Sequence, residues 1–191
     1  QVSLAQGAFY GVGAYTSALL CAKLGFSFWA SLVLVIMLAC IVGLMVGLPT
    51  IKVSGLYLVM ATLGINEIAY LIMMNFIPLT GGPQGVSSIP SPELMGISFD
   101  SSLKYYYLVF TMFVFFAFLS ARILKSRLGL FFIAIKNSEI ASQMNGVHVI
   151  KIKLLAFIIS AAFGGVAGAL YANYINYIHP DNFKTDVSVL F

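Results

Sequence analysis

The chain has 191 residues, of which 61% are hydrophobic and 8% are charged, and its formal net charge is +4. Soluble domains carry about 25% charged residues, so this composition excludes a single soluble core and predicts a polytopic membrane protein. The spans are expected to be helices because lipid offers the backbone no hydrogen-bonding partner, and the apolar runs are too continuous for barrel strands. The predicted fold class is therefore an all-α transmembrane helical bundle.

Five apolar segments are long enough to cross a bilayer, which takes about 20 residues of helix. We predict spans at residues 4–24, 28–48, 55–77, 105–124 and 154–178. Ser54 is expected to cap the third helix, and Pro49, Pro78 and Pro180 are expected to end the second, third and fifth. The chain has no initial Met and stops within a new apolar run, so we interpret residues 1–191 as one transmembrane domain of a longer protein.

The orientation follows from lysine and arginine, which accumulate on the cytoplasmic side of membrane proteins. Basic residues concentrate around the segment 123–153, so we predict that this segment is a cytoplasmic insert. The inner side would hold Lys52, Arg122, Lys125, Arg127, Lys136, Lys151 and Lys153. The outer side would hold Lys23, Lys104 and Lys184, together with an interfacial belt formed by Trp29, Tyr105, Tyr106, Tyr107, Tyr174 and Tyr177.

Small residues recur at intervals of three or four in three predicted helices, a spacing that lets membrane helices approach closely. They are Gly7, Gly11, Ala14 and Ala18 in the first helix, Ala39, Gly43 and Gly47 in the second, and Ser160, Gly164, Gly168 and Ala172 in the fifth. Three such rows of small residues predict a compact bundle, with the longest packing face on the fifth helix.

The connection between the third and fourth spans contains the sequence TGGPQG. Its glycines and prolines exclude a regular helix over residues 78–102. The candidate functional residues of this external loop are Thr80, Gly81, Gly82 and Gly85. Two interpretations are open at this point: a structured external cap or re-entrant turn held by protein, and a flexible surface loop.

Glu67 is the one acidic residue within the predicted spans, and Asn66 and Gly64 precede it. An intramembrane carboxylate is energetically costly and usually faces the bundle interior or a water-filled path. Glu67 is therefore a candidate proton relay, a contact for a substrate ammonium or a polar clamp, and Gly64 would allow a helix break or a close backbone approach. A simple interhelical hydrogen bond of a protonated or partnered Glu67 is an open alternative.

Enzymatic chemistry has little support in the sequence. The two histidines, His148 and His179, are both predicted to lie outside the bilayer, and the chain has no HExxH motif and no phosphate-binding loop. A nucleophile at membrane depth therefore has no base, and no metal-dependent or ATP-binding motif is present. The sequence predicts no catalytic residue, no metal or cofactor on this chain, and no binding of nucleic acid.

The cytoplasmic insert is patterned like two short helices. One face of the first collects four apolar residues, Leu128, Phe131, Phe132 and Ile135. Asn137 or Ser138 can cap a second helix at Glu139–Met144, which Gly146 would end. Ile140 and Met144 would lie on one side of this helix. Because so short a helix cannot form its own core, it needs the membrane surface or a partner's groove, and we favour the partner.

These features together resemble the membrane permeases of branched-chain amino acid ABC importers, the hydrophobic amino acid uptake family. The matching stretches are SLAQGAFYGVGAYTSALL, VSGLYLVMATLGINEI, TGGPQG, SRLG, AIKNSEIASQMNGV and LLAFIISAAFGGVAGALYANYINYIHPDNF. They cover most of the chain in the family's order. The family usually has basic residues after SRLG, where this chain has Phe131 and Phe132, and it has further spans before and after this piece.

The resemblance implies an inner-membrane permease that works by alternating access with four kinds of partner. These are the lipid bilayer, a second permease subunit, two ATP-binding subunits that carry ATP and Mg²⁺, and an external solute-binding protein. It also implies that Glu139, Ile140 and Ala141 stand for the Glu-Ala-Ala of the coupling motif, with Gly146 as its glycine, and that this segment docks on the ATPase.

The substrate implied by the resemblance is a branched-chain or other aliphatic amino acid. Close relatives carry urea or short amides, so these substrates are an alternative. The residues alone also leave a second alternative, an ion-coupled secondary transporter in which Glu67 is the proton site.

Overall fold

The computed structural model of the chain describes residues 5–50, 53, 56–94 and 97–183. The predictions for Lys52, Ser54 and Lys184 fall outside these residues. In chain order the described helices are α1 Gln6–Ala22, α2 Phe28–Thr50, α3 Leu56–Asn75, α4 Ile77–Thr80, α5 Ser102–Leu124, α6 Arg127–Asn137, α7 Glu139–Met144 and α8 Val149–Ile175.

The remaining regular structure is short. Strand β1 (Val86–Ser87) pairs antiparallel with β4 (Tyr177–Ile178), and β2 (Glu93–Leu94) pairs antiparallel with β3 (Ile97–Ser98). Single 3₁₀ turns lie at Gly82–Gln84 and Pro180–Phe183. All of these elements belong to the connections at one end of the helices, so the fold is the predicted all-α bundle.

Four of the described helices, α2, α3, α5 and α8, are long and apolar enough to cross a membrane. Helix α1 has 17 residues, which is short for a span, and most of its side chains are buried. The five predicted spans therefore correspond to four spanning helices and one shorter helix inside the bundle. Its composition explains this position, because Gly, Ala and Ser leave room for helices on both sides.

Two prolines do not end their helices as predicted. Pro49 lies inside the last turn of α2, which continues to Thr50. The Thr50 hydroxyl donates to two carbonyls of that turn, at 2.8 and 3.0 Å, and so satisfies acceptors at the helix end. Helix α3 already ends at Asn75, and Pro78 lies in the first turn of α4, where its missing N–H has no intrahelical role.

The end of α8 also differs from the prediction. The helix stops at Ile175, well before Pro180, because Asn176 takes the left-handed conformation with φ 57°. The Asn176 N–H still donates to the Ala172 carbonyl at 3.1 Å, which closes the last turn. The chain then turns into β4, so the C-terminal end of α8 leads directly into the short strands and turns at that end of the bundle.

Helix α8 is the centre of the bundle and packs chiefly against α1 and α2. Helices α1 and α8 run parallel, as two hydrogen bonds between them indicate. Ser160 donates to the Gln6 side chain at 3.1 Å, and Asn173 donates to the Ser17 hydroxyl at 2.7 Å. The two helices are therefore held in register by polar contacts at two levels of an apolar interface.

The predicted small-residue stripe of α8 faces α1. A Cβ placed on Gly168 would overlap the Tyr10 carbonyl, and one placed on Gly13 would overlap the Gly165 carbonyl. Gly164 lies against Phe9, with 3.0 Å between an added Cβ and the Phe9 Cβ. The two backbones are thus in direct contact, which only glycine at these positions permits.

The opposite side of α8 packs against α2, which runs antiparallel to it. A Cβ added at Gly43 would lie 2.7 Å from the Ala161 Cβ, and one added at Gly165 would lie 2.8 Å from the Ala39 Cβ. The small residues of α2 and α8 therefore interlock, and α8 is held between two close partners.

Helix α5 is attached mainly at its N-terminal end. The Tyr105 hydroxyl donates to the Leu170 carbonyl, and the Tyr105 ring lies 5.0 Å from the Tyr174 ring. Beyond this end, most side chains of α5 are exposed and apolar. Such a helix suits lipid or protein on its outer face, and it leaves an open space between α5 and α8.

Candidate functional site

The short helix α7 forms as predicted, with bounds Glu139–Met144. Ser138 is the cap, and its hydroxyl accepts a hydrogen bond from the Ala141 N–H at 3.2 Å. Gly146 takes the left-handed conformation with φ 78° and donates its N–H to Gln143 at 3.0 Å, which ends the helix. The local sequence signals therefore fix both ends of this element.

Helix α7 presents its two large apolar side chains outward. Ile140 is 70% exposed and Met144 is 84% exposed, and Ala141 is exposed beside them. Ser142 points inward instead, and its hydroxyl donates to the Ser138 carbonyl at 2.7 Å. The inner face is thus polar and bonded to its own turn, while the outer face offers apolar surface. This arrangement is typical of a helix that inserts into a groove on another protein.

A charged contact holds α7 against α8. Lys153 Nζ lies 2.7 Å from Glu139 Oε1, and the Lys153 side chain is only 7% exposed. Glu139 is in the first turn of α7, where a carboxylate is also favoured by the helix dipole. The resemblance assigned Glu139 to the coupling segment, whereas Lys153 was placed only among the basic residues of the inner side. The ion pair joins residues on different helices, and no local motif reveals it.

Helix α6 connects α5 to this segment through a tight corner. Ser126 caps α6 by accepting a hydrogen bond from the Leu128 N–H at 3.2 Å. A Cβ on Gly129 would overlap the Leu124 carbonyl, so the corner requires glycine there. Of the predicted apolar face, Leu128, Phe132 and Ile135 are partly buried, whereas Phe131 is exposed. The apolar face of α6 is therefore partly covered by the rest of the chain, and Phe131 is left exposed at its edge.

The connection between α3 and α5 is a structured cap at the C-terminal end of α8. Lys23 Nζ donates to the carbonyls of Pro78 (3.3 Å) and Leu79 (2.9 Å). The Thr80 hydroxyl donates to the Met73 carbonyl at 2.7 Å and accepts from the Gly82 N–H at 3.2 Å. Side chains thus fix the turn after α3 on both sides.

The second half of the loop is bound to the chain that follows α8. Val86 pairs with Ile178 in the β1–β4 ladder, and His179 Nε2 lies 2.8 Å from the Pro83 carbonyl. Gly85 has φ 67°, and a Cβ there would overlap the Ile178 carbonyl. Gly81 and Gly82 also have positive φ. The described residues of this loop are therefore held by the rest of the protein, as in the first of the two interpretations, and do not form a flexible surface loop.

Glu67 and Asn66 lie on different sides of α3. Asn66 is fully buried, whereas Glu67 is on the exposed side of the described bundle. Gly64 produces neither a break nor a close approach, since α3 is continuous from Leu56 to Asn75 and, among the described residues, no atom outside the local helix backbone lies within 4 Å of an added Cβ. That Glu67 lines a pathway stays a prediction, and the described helices do not surround it.

Two cavities lie side by side between α5, α8 and the cap. The larger one, about 630 Å³, is apolar and lies between α5 and α8, with Phe113, Phe116, Phe163 and Ala167 among its walls. The smaller one, about 320 Å³, is polar and lies at the N-terminal end of α5 and the C-terminal end of α8, with Asp100, Asn173 and Asn176 among its walls. Sequence reasoning did not identify either cavity, because their walls come from distant segments.

A family model described as "Branched-chain amino acid transport system / permease component" matches residues 1–191. The chain is 36% identical over 203 residues to the high-affinity branched-chain amino acid transport system permease protein LivM of Escherichia coli (strain K12), and equally to that of Salmonella typhimurium. Each match covers 94% of this chain and 48% of the relative, so the chain spans about half the length of these relatives.

A more distant relative is the probable branched-chain amino acid transport permease protein LivM of Methanocaldococcus jannaschii. It is 28% identical over 147 residues, which are 75% of this chain and 42% of the relative. No solved structure matches the chain at a significant level.

Proposed function

Because the chain belongs to the family of permease components of branched-chain amino acid transport systems, we propose that it is part of the membrane subunit of an ABC importer for branched-chain or other aliphatic amino acids. The subunit works in the cytoplasmic (inner) membrane with a second permease subunit, two ATP-binding subunits and an external solute-binding protein. ATP and Mg²⁺ bind to the ATP-binding subunits, and this chain performs no hydrolysis itself.

One observation carries the proposal of an ATP-driven importer: the exposed apolar face of α7. Ile140 and Met144 project from a capped helix whose other face is bonded to its own turn and to α8. Exposing an apolar surface of this kind to water is unfavourable in free energy unless a partner covers it. Docking of α7 in a groove of an ATP-binding subunit supplies that cover. Residues 123–153 are cytoplasmic in this arrangement.

The transport cycle follows from the connection between α7 and α8. When the ATP-binding subunits close, they move α7, and the Lys153–Glu139 ion pair transmits this movement to the inner end of α8. Helix α8 has direct backbone contacts with α1 and small-residue contacts with α2, so the three helices would move together as one rigid unit. Alternating access requires such rigid elements with two discrete arrangements.

The test uses the full-length protein assembled with its partner subunits in proteoliposomes. The double variant Ile140→Asp, Met144→Asp is expected to lower ATP-dependent leucine uptake by about tenfold or more, because it replaces the two central apolar contacts. Leu24→Asp is the matched control, since Leu24 is 66% exposed at the opposite end of the bundle. Unchanged ATP-dependent uptake in the α7 variant would contradict the proposal.

The substrate is tested in the same vesicles by competition. Unlabelled leucine, isoleucine and valine are expected to suppress uptake of labelled leucine, whereas urea and acetamide are expected to have no effect. Suppression by urea or acetamide alone would assign the chain to the importers of urea and short amides.

A further inference from the structure

Helix α7 is not held in place by burial of an apolar face. Its large apolar side chains, Ile140 and Met144, are 70% and 84% exposed, and Ala141 is exposed beside them. Of its six residues Ser142 is the buried one, and the Ser142 hydroxyl donates to the Ser138 carbonyl within the same turn. Helices in proteins are stabilised mainly by packing an apolar face against the rest of the chain. The position of α7 on α8 therefore depends on another kind of contact.

The chain connections at the two ends of α7 do not supply this contact. Ser138 joins α6 to α7 as one residue in the extended conformation, with φ −159°. Gly146 begins the connection to α8 in the left-handed conformation, with φ 78°. The N–H groups of Gly146 and Val147 donate back to carbonyls of α7, both at 3.0 Å. These bonds fix where the helix ends, but they do not attach a side chain of α7 to α8.

The ion pair of Lys153 with Glu139 makes such an attachment. Lys153 Nζ lies 2.7 Å from Glu139 Oε1, and no other carboxylate of the described residues forms an ion pair with this lysine. Burying an ammonium group is costly, and apolar residues of similar volume often stabilise such a position equally well or better. Stability alone therefore does not account for a lysine that is only 7% exposed. A charged bond of fixed direction between α7 and α8 does account for it.

We propose that Lys153 is a positioning residue, whose ammonium group holds Glu139 so that α7 keeps one orientation on α8 while its apolar face is docked. Docking and coupling are then tasks of different side chains. Ile140 and Met144 bind the ATP-binding subunit, and the Lys153–Glu139 pair passes the displacement of α7 to the unit formed by α1, α2 and α8. The inference rests on the proposed function, because it assigns the coupling step of that function to a particular pair.

The test measures ATP hydrolysis and leucine uptake in the same proteoliposomes, which contain the full-length protein with all its partner subunits. Lys153→Met is expected to lower the number of leucine molecules taken up per ATP hydrolysed by about fivefold or more, because α7 can then move without α8. The ATP-binding subunits are expected to co-purify with this variant as they do with the unmodified protein, since Ile140 and Met144 are unchanged.

Lys151→Met is the matched control. Lys151 is an exposed lysine of α8 two residues before Lys153. Two positions along an α-helix correspond to a rotation of about 200°, so the two side chains lie on opposite sides of α8. We expect uptake per ATP to be unchanged in Lys151→Met, and to be largely retained in Lys153→Arg, which keeps the charge. An equal decrease in Lys151→Met and Lys153→Met would contradict the inference.

The neutral double variant Glu139→Gln, Lys153→Met separates a positioning role from a purely structural one. It leaves no buried charge without a partner, so its melting temperature should be higher than that of Glu139→Gln alone. Its uptake per ATP should nevertheless stay as low as that of Lys153→Met, because no ion pair joins α7 to α8. If uptake per ATP recovers together with the melting temperature, Glu139 only compensates the charge of Lys153 and the inference is wrong.

The remaining outcomes separate this inference from the proposed function. If the unmodified importer takes up leucine and Lys153→Met has the same uptake per ATP, the inference is wrong and the importer assignment stands. The same holds if Lys153→Met no longer binds the ATP-binding subunits, because Lys153 is then needed for docking itself. If the unmodified importer takes up no aliphatic amino acid in an ATP-dependent way, the proposed function fails and the inference fails with it.

Discussion

Lys153 on α8 and Glu139 on α7 form an ion pair with 2.7 Å between Nζ and Oε1. The pair is asymmetric, because the Lys153 side chain is 7% exposed whereas the Glu139 side chain is 39% exposed. The lysine therefore depends on the glutamate for its charge compensation more than the glutamate depends on the lysine. This dependence can be measured by comparing the stability of single and double variants of the pair.

Removing one charge of this pair should lower the free energy of unfolding more than removing both charges does. We expect Glu139→Gln to lower the free energy of unfolding by about 1–2 kcal/mol, less than for a fully buried pair because Glu139 is partly solvated. The double variant Glu139→Gln, Lys153→Met should recover part of that loss, since no buried charge is left alone. A double-mutant cycle from thermal unfolding in detergent measures this. Additive losses would show that the two side chains are not coupled.

The glycine contact between α8 and α1 predicts a second stability effect. In Gly168→Ala the new Cβ would overlap the Tyr10 carbonyl and lie 2.9 Å from the Ala14 nitrogen, and both are backbone atoms that cannot rotate away. The helices must separate, and we expect a loss of about 1–3 kcal/mol. Thermal unfolding of the purified protein measures it.

Gly64→Ala is the matched control for this substitution. Gly64 is also inside a helix, but nothing lies within 4 Å of an added Cβ. We expect no loss, and a gain of up to about 1 kcal/mol from the better helix propensity of alanine. Equal losses in the two variants would mean that the cost comes from helix propensity and not from the α1–α8 contact.

The sequence predicts those parts of this chain that short-range signals determine. Ser138 and Gly146 lie within eight residues of each other and give the bounds of α7, and the four-residue spacing of glycines gives the packing faces of α8. Helix ends are less predictable where a side chain donates hydrogen bonds to the carbonyls of a turn that contains a proline. Thr50 does this for the turn that contains Pro49.

Contacts between distant segments could not be predicted. The Asn173–Ser17 hydrogen bond spans 156 positions, and the pairing of β1 with β4 depends on how α8 ends. Both cavities are built from such contacts, so the sequence contains their residues without indicating that they meet. The same holds for Lys153, whose charge suggested an anchor and whose partner is set by the packing of α7 on α8.

The external cap predicts an effect of Gly85. This residue has φ 67°, and an added Cβ would overlap the Ile178 carbonyl. Gly85→Ala should therefore open the β1–β4 pair and expose the loop to protease. Limited proteolysis of the protein in nanodiscs measures the rate of cleavage after residue 80, and we expect an increase of about tenfold or more.

Gly25→Ala provides the control for the cap. Gly25 has a similar φ of 66° but nothing within 4 Å of an added Cβ. The Gly25→Ala substitution therefore introduces comparable backbone strain without the steric overlap. If Gly25→Ala and Gly85→Ala accelerate cleavage of the loop equally, the effect does not come from the contact between Gly85 and β4.

Glu67 tests the ion-coupled alternative. Its side chain is on the exposed side of the described bundle, and the described helices do not surround it. In the proposed importer, ATP supplies the energy, so Glu67→Gln should change ATP-dependent uptake less than about twofold, and dissipating the proton gradient should have no effect. Uptake by proteoliposomes with and without ATP, and with and without a protonophore, measures both.

The opposite outcome would contradict the proposed mechanism. If uptake by the unmodified protein follows the proton gradient and is lost in Glu67→Gln, transport is coupled to protons and is not driven by ATP.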